Sequence, residues 1–139
     1  MAPRDALNCD LLLVDDDPLV VTLLETVIAK RAGLTVQAFA TLDEAVPPLR
    51  SAASSQRGTL PKAIIVDWNL RKRTAREFIS WVRMSSTMGH LPIYAISASD
   101  DDRLVKQAIE AGATEFCAKS AILSRIEAWT SKISSAAAG

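Results

Sequence analysis

The sequence has no long apolar run. Leu11–Val14 and Ala63–Val66 are short and each leads into an aspartate, whereas a membrane helix needs about 18 consecutive apolar residues. The opening Met1–Leu7 has no apolar segment of the kind that marks a secretory leader. An excess of charge of either sign is also missing. Sixteen Lys and Arg face sixteen Asp and Glu, for a net charge of +0, so no global field draws the chain to nucleic acid or to an anionic membrane. Cysteine is scarce: Cys9 and Cys117 stand far apart and read as free thiols in a reducing compartment, not as a disulfide framework. The single histidine, His90, sits alone in a turn and offers neither a phosphodonor nor a metal ligand. The expectation is a soluble cytoplasmic protein with no direct nucleic-acid partner and no membrane partner.

At 139 residues the chain is read as one domain spanning 1–139. A chain of that size buries about two thirds of its unfolded surface. Residues 1–8 are expected to form an N-terminal extension, and 134–139 a flexible tail or the start of a linker.

Five short apolar runs alternate with helical patterns. Leu11–Val14 reads as the first strand; Asp17 and Pro18 then cap and open a helix with apolar residues at Leu19, Val20, Leu23, Leu24, Val27 and Ile28. Gly33 closes that helix, and Leu34–Phe39 follows as a second strand. Thr41 and Glu44 have capping-box spacing, but Pro47 and Pro48 predict a kinked or restarted second helix ending near Ala53, since an interior proline costs about 3 kcal/mol. The run Ala63–Val66 is continuous and β-branched, the mark of a strand buried on both faces, and ends at Asp67. Trp68 is expected to point away from Asp67. Arg71–Ala75 reads as a loop, 75–84 as a third helix, and Ile93–Ile96 as a fourth strand ending at Ser97. Asp100–Asp102 open a fourth helix with Leu104, Val105, Ala108 and Ile109 inward, capped by Gly112. Thr114–Ala118 is the fifth strand, and a last helix from about Ala121 to Ile133 carries Ile122, Ile126, Trp129 and Ile133 on one stripe. The βαβαβαβαβα order implies an α/β fold: a parallel five-stranded sheet, doubly wound, with helices on both faces.

In such sheets ligands bind outside the carboxyl ends of the strands. Those ends present Asp15 and Asp16, Asp67, Ser97 and Lys119. Asp67 alone leaves two readings open: a reactive carboxylate, or an ordinary loop-opening aspartate. The other strand ends favour the first. Carboxylates sharing one pocket repel unless a cation intervenes, and hard oxygen donors suit Mg²⁺. A lysine and a hydroxyl suit a phosphoryl group. These are the parts of phosphoryl transfer, with an aspartate able to accept the group as an acyl phosphate.

Over nearly its whole length the chain resembles a response-regulator receiver domain. The matching pieces are Val14-Asp15-Asp16-Asp17-Pro18, Ile65-Val66-Asp67-Trp68-Asn69-Leu70, Ile96-Ser97-Ala98, Ala111-Gly112-Ala113 and Phe116-Cys117-Ala118-Lys119. The resemblance implies a flavodoxin-like (βα)5 sheet of order 2-1-3-4-5. It implies that Asp67 is the phosphoacceptor, served by a histidine kinase or histidine phosphotransfer protein. Asp16, Asp67 and the backbone carbonyl of Asn69 would ligate Mg²⁺, with Mn²⁺ able to substitute, and Asp15 would act largely through water. Ser97 and Lys119 would hold the phosphoryl, and Ser97 and Phe116 would form the switch. Output would pass to a downstream protein or a further domain, through a surface near Arg103, Lys106, Glu110 and Arg125, from a monomer or weak homodimer. The chain would be no enzyme beyond catalysing its own phosphorylation and dephosphorylation.

Three features depart from the family pattern. Arg71, Lys72, Thr74 and Ala75 replace its Pro-Gly and Asp-Gly pairs, Ser120 replaces a cis proline after the lysine, and two prolines interrupt the second helix. The cations Arg71, Lys72, Arg73 and Arg76 are expected to oppose Mg²⁺ or to dock an acidic partner. Two alternatives follow. One is a degenerate receiver serving as a docking module without phosphorylation. The other is a haloacid-dehalogenase-type phosphatase using Asp15, Asp17, Ser97 and Lys119, but only Glu127 follows the lysine where those enzymes need an acidic pair.

Overall fold

The computed structural model describes residues 6–70 and 73–138. Strands β1 (Leu11–Val14), β2 (Val36–Phe39), β3 (Ala63–Asp67), β6 (Ile93–Ser97) and β7 (Glu115–Ala118) form one parallel sheet in the order β2-β1-β3-β6-β7. Counting only these strands, that is the expected order 2-1-3-4-5. Between β3 and the next helix lies a small antiparallel hairpin, β4 (Asn69–Leu70) and β5 (Arg73–Thr74). Residues 71–75 were expected to be loop, and the hairpin corrects that; a run of so few residues carries no readable alternation.

Every residue of β1, β3 and β6 is buried, as continuous apolar strands require. Alternate residues feed two cores. Leu12, Val14, Ile64, Val66, Ile93 and Ala95 pack with α2 (Leu42–Ala53), α3 (Arg76–Met84) and α4 (Asp102–Ala111). Leu11, Leu13, Ala63, Ile65, Tyr94 and Ile96 pack with α1 (Pro18–Ala32) and α5 (Ile122–Ala138), where Tyr94 stacks on Trp129 at 4.3 Å between ring centroids. Trp68 is fully buried in the first core, away from Asp67's pocket.

Several local expectations change. Helix α2 runs unbroken through Pro47 and Pro48. The prolines leave the carbonyls of Asp43 and Glu44 without helical donors, but both residues are exposed and water can satisfy them. On α1 the buried line is Leu24 and Ile28, while Leu19 and Leu23 face outward; Ile109 of α4 does likewise. Too many apolar residues surround α1 for the pattern alone to choose its inner face. Leu7, assigned to an extension, is fully buried in the first core, and its carbonyl accepts from Thr59 N–H at 2.6 Å. Helix α5 continues to Ala138 where a tail was expected, in keeping with the high helix propensity of alanine. Gly58 adopts φ +81°, and a Cβ there would fall 2.5 Å from the Leu7 carbonyl oxygen, so this turn admits only glycine.

Candidate metal and phosphoryl site

The pocket is built by strand ends. The β1–β3 register pairs Val14 with Val66, which brings Asp15 and Asp67 side by side just beyond. Asp16 follows in the turn that opens α1. Asp15, Asp16 and Asp67 each offer a carboxylate oxygen within 4.8 Å of the others. Asp15 and Asp67 are only 1 % and 4 % exposed, so water screens them weakly.

Lys119 enters from the end of β7. Its Nζ donates to Asp15 Oδ1 at 3.1 Å and to Asp67 Oδ2 at 3.0 Å. Asp15 Oδ2 also lies 2.9 Å from Nζ, but no hydrogen bond is directed at it. Backbone donors supply the rest. Asp17 N–H donates to Asp15 Oδ1 at 2.9 Å, and Asn69 N–H to Asp67 Oδ1 at 3.1 Å. One ammonium thus serves two buried carboxylates among three. Burial pushes the Asp67 carboxyl above its ordinary range; Lys119 opposes that shift and Asp15 adds to it. Burial pulls the Lys119 ammonium down, but its bonds and attraction to Asp15 and Asp67 outweigh this and leave it raised.

The peptide after Lys119 is trans, since the described residues contain no cis bond, and Lys119–Ala121 form a short 3-10 turn. Ser120 in place of proline therefore does not keep the lysine from the carboxylates. Ser97 ends β6 at the same rim, fully buried, with its Oγ accepting from Ser99 N–H at 3.3 Å. Phe116 lies further back on β7, opposite Ala95, and is half-buried against the first core. Asn69 is exposed on the hairpin, opposite Thr74. Asp17 caps α1 through Leu19 N–H at 3.0 Å. That occupies the carboxylate a haloacid-dehalogenase reading would need.

The donor set fits a divalent cation. Three carboxylates converge, one buried oxygen has no directed donor, and all donors are hard oxygens. Arg71 and Lys72 of the basic segment lie outside the described residues. The other two cations are engaged elsewhere: Arg73 pairs with Asp43 at 3.0 Å, and Arg76 lies over the Trp68 ring at 5.9 Å. The Arg73–Asp43 pair escaped the sequence reading, which saw Asp43 only as part of a helix start. A cation and an anion thirty positions apart leave no local signal.

Residues 11–130 match the family model of the response regulator receiver domain. Among solved structures, a putative response regulator from Chloroflexus aurantiacus J-10-fl is 28 % identical with a TM-score of 0.71, over 87 % of this chain and 96 % of that one. The phosphorylated cyanobacterial phytochrome response regulator RcpA is 22 % identical with a TM-score of 0.73, over 91 % of each chain. The Mn²⁺-bound form of response regulator Rcp1 is 20 % identical with a TM-score of 0.65, over 78 % of this chain and 77 % of that one. The last two likenesses are of fold. A search of curated proteins finds no match.

Proposed function

Because the chain belongs to the response regulator receiver domain family, we propose that Asp67 is the phosphoacceptor through which it takes part in two-component signalling. The observation that carries this is the pocket itself: Asp67 shares one lysine with Asp15, and Asp16 stands within reach. In the reaction, an Asp67 carboxylate oxygen attacks the phosphorus of a phosphohistidine on a kinase or phosphotransfer protein. The O–P bond forms as the P–N bond breaks, and the released imidazole takes a proton from solvent.

Asp15, Asp16, Asp67 and the Asn69 carbonyl would hold Mg²⁺, or Mn²⁺ in its place. The ion supplies charge neutralisation for an anion approaching an anionic site. Lys119 then trades a carboxylate partner for a phosphoryl oxygen, without having to move into the pocket. The Ser97 hydroxyl, released from Ser99 N–H, donates to the same group. Ser97 pairs with Ala118 of β7, so a movement of Ser97 couples the site to the strand that carries Phe116. The chain acts on its own carboxylate and not on a free substrate. It passes the signal to a downstream protein or a further domain, in the cytoplasm, where kinases present their phosphohistidine.

Incubation with acetyl phosphate and Mg²⁺, followed by intact-protein mass spectrometry, tests this. The wild type is expected to gain one phosphoryl group, and Asp67→Asn none. A wild type that stays unmodified by both acetyl phosphate and a kinase would leave the degenerate docking module as the correct reading.

A further inference from the structure

The segment from Trp68 to Ala75 contains no proline or glycine to fix its backbone. Its hairpin has two residue pairs, Asn69 with Thr74 and Leu70 with Arg73, and so short a ribbon is marginal by itself. Trp68 ties it to the fold. The Trp68 N–H donates to the Ile96 carbonyl at 2.7 Å, and the Trp68 carbonyl accepts from Ala75 N–H at 2.9 Å. The peptide unit of that carbonyl also carries the Asn69 N–H, which donates to Asp67 Oδ1 at 3.1 Å. One peptide plane therefore holds the Asp67 carboxylate on one edge and the start of α3 on the other. The indole of Trp68 is fully buried and its N–H has no hydrogen-bond partner, so no hydrogen bond orients the ring. The guanidinium of Arg76 covers it, 5.9 Å from the ring centre. Arg76 is the first residue of α3, where a cation opposes the helix dipole. The helix gains nothing from a positive charge at that position; the indole face does.

Resting on the phosphoacceptor reading, we propose that Arg76 is a positioning residue: by holding the Trp68 indole it fixes the Trp68–Asn69 peptide, and with it the setting of Asp67 and of the Asn69 carbonyl. The consequence is a sign. Arg76 acting through its charge alone would repel a divalent cation, and its removal would tighten metal binding. Arg76 acting through the ring raises the fraction of molecules whose hairpin is paired. Its removal then weakens metal binding, because apparent affinity scales with the competent fraction.

The test compares wild type, Arg76→Ala, Trp68→Phe and the double variant by Mg²⁺ titration in isothermal calorimetry, and by backbone hydrogen exchange in chelator. A thermal melt of each verifies folding. Arg76→Ala is expected to bind Mg²⁺ about two- to fivefold more weakly, the range a cation–π contact at an exposed site supplies. In chelator its Asn69 and Ala75 amides should exchange faster than in the wild type, while the amides of β1 and β3 keep their rates. With Phe at position 68, loss of Arg76 should cost less, because a phenyl face holds a cation less well than an indole. Mg²⁺ binding by Arg76→Ala that is unchanged or tighter, wild-type exchange at Asn69 and Ala75, or an equal loss in both backgrounds overturns the proposal. Each of these leaves the phosphoacceptor reading to its own test by mass spectrometry. A wild type that binds no Mg²⁺ overturns the proposal together with the metal half of that reading.

Discussion

Lys119 is the one cation bonded to Asp15 and Asp67 among the described residues, so its removal has a calculable consequence. Lys119→Met keeps most of the apolar stem and deletes the ammonium. Two nearly buried carboxylates then face each other with backbone N–H donors alone. Breaking a buried ion pair by removing one partner costs about 3–5 kcal/mol. Asp67 already takes up a proton more readily than an ordinary carboxylate, and protonation relieves part of the repulsion. That favours the lower end of the range, about 3 kcal/mol. For 139 residues at about 2.1 cal/mol/K each, the unfolding entropy is about 0.3 kcal/mol/K, so the melting temperature should fall by about 10 °C. Circular dichroism melts at neutral pH in a chelator give the number. Millimolar Mg²⁺ should then return most of the loss, because the ion supplies the charge that the lysine no longer does. A variant melting within about 2 °C of the wild type in chelator would refute the reasoning, since the ammonium would then not be neutralising the pocket.

The titration of Asp67 gives a prediction of opposite sign. Its folded pKa is raised, so its contribution to stability is full below the ordinary value of 3.8 and is lost as pH rises through the raised folded value. In chelator, Asp67→Asn should therefore gain stability over the wild type as pH climbs from 3.8 to the raised folded value and level off above it, and the gap should narrow with Mg²⁺; denaturant melts across pH give the comparison, and a gap that stays constant across that window would contradict the sign. Cys9 is buried, and burial pushes its thiol up to about 11, with Cys117 also raised by burial. Neither should react with a thiol-specific disulfide reagent at neutral pH in the native protein, and both should react in denaturant; rapid native labelling of either would show that the chain opens locally around it.

Much of this molecule was legible in the chain itself. Apolar runs ending in aspartate and serine defined β1, β3 and β6, because a strand buried on both faces leaves no polar residue until it reaches the rim. The residue types of the pocket were readable for the same reason: in a parallel sheet, the end of each apolar run is also the floor of the crevice. Capping signals fixed the starts of α1 and α2, since Asp17 and Thr41 act on their own neighbours two and three residues on. Where the pattern was ambiguous, it failed. Leu19 and Leu23 are as apolar as Leu24 and Ile28, and only the seat of α1 on the sheet selects between them. Pro47 and Pro48 predicted a break because local propensity cannot register that α2 turns their orphaned carbonyls toward water.

Sequence alone thus determined the order of elements, the parallel sheet and the chemical types at its rim, because these follow from local periodicity and from where each apolar run stops. The tertiary structure decided which charges meet. Lys119 reaches Asp15 from 104 positions away, and Arg73 reaches Asp43 from 30. Electrostatic attraction depends on distance through space, and only the closed fold sets that distance.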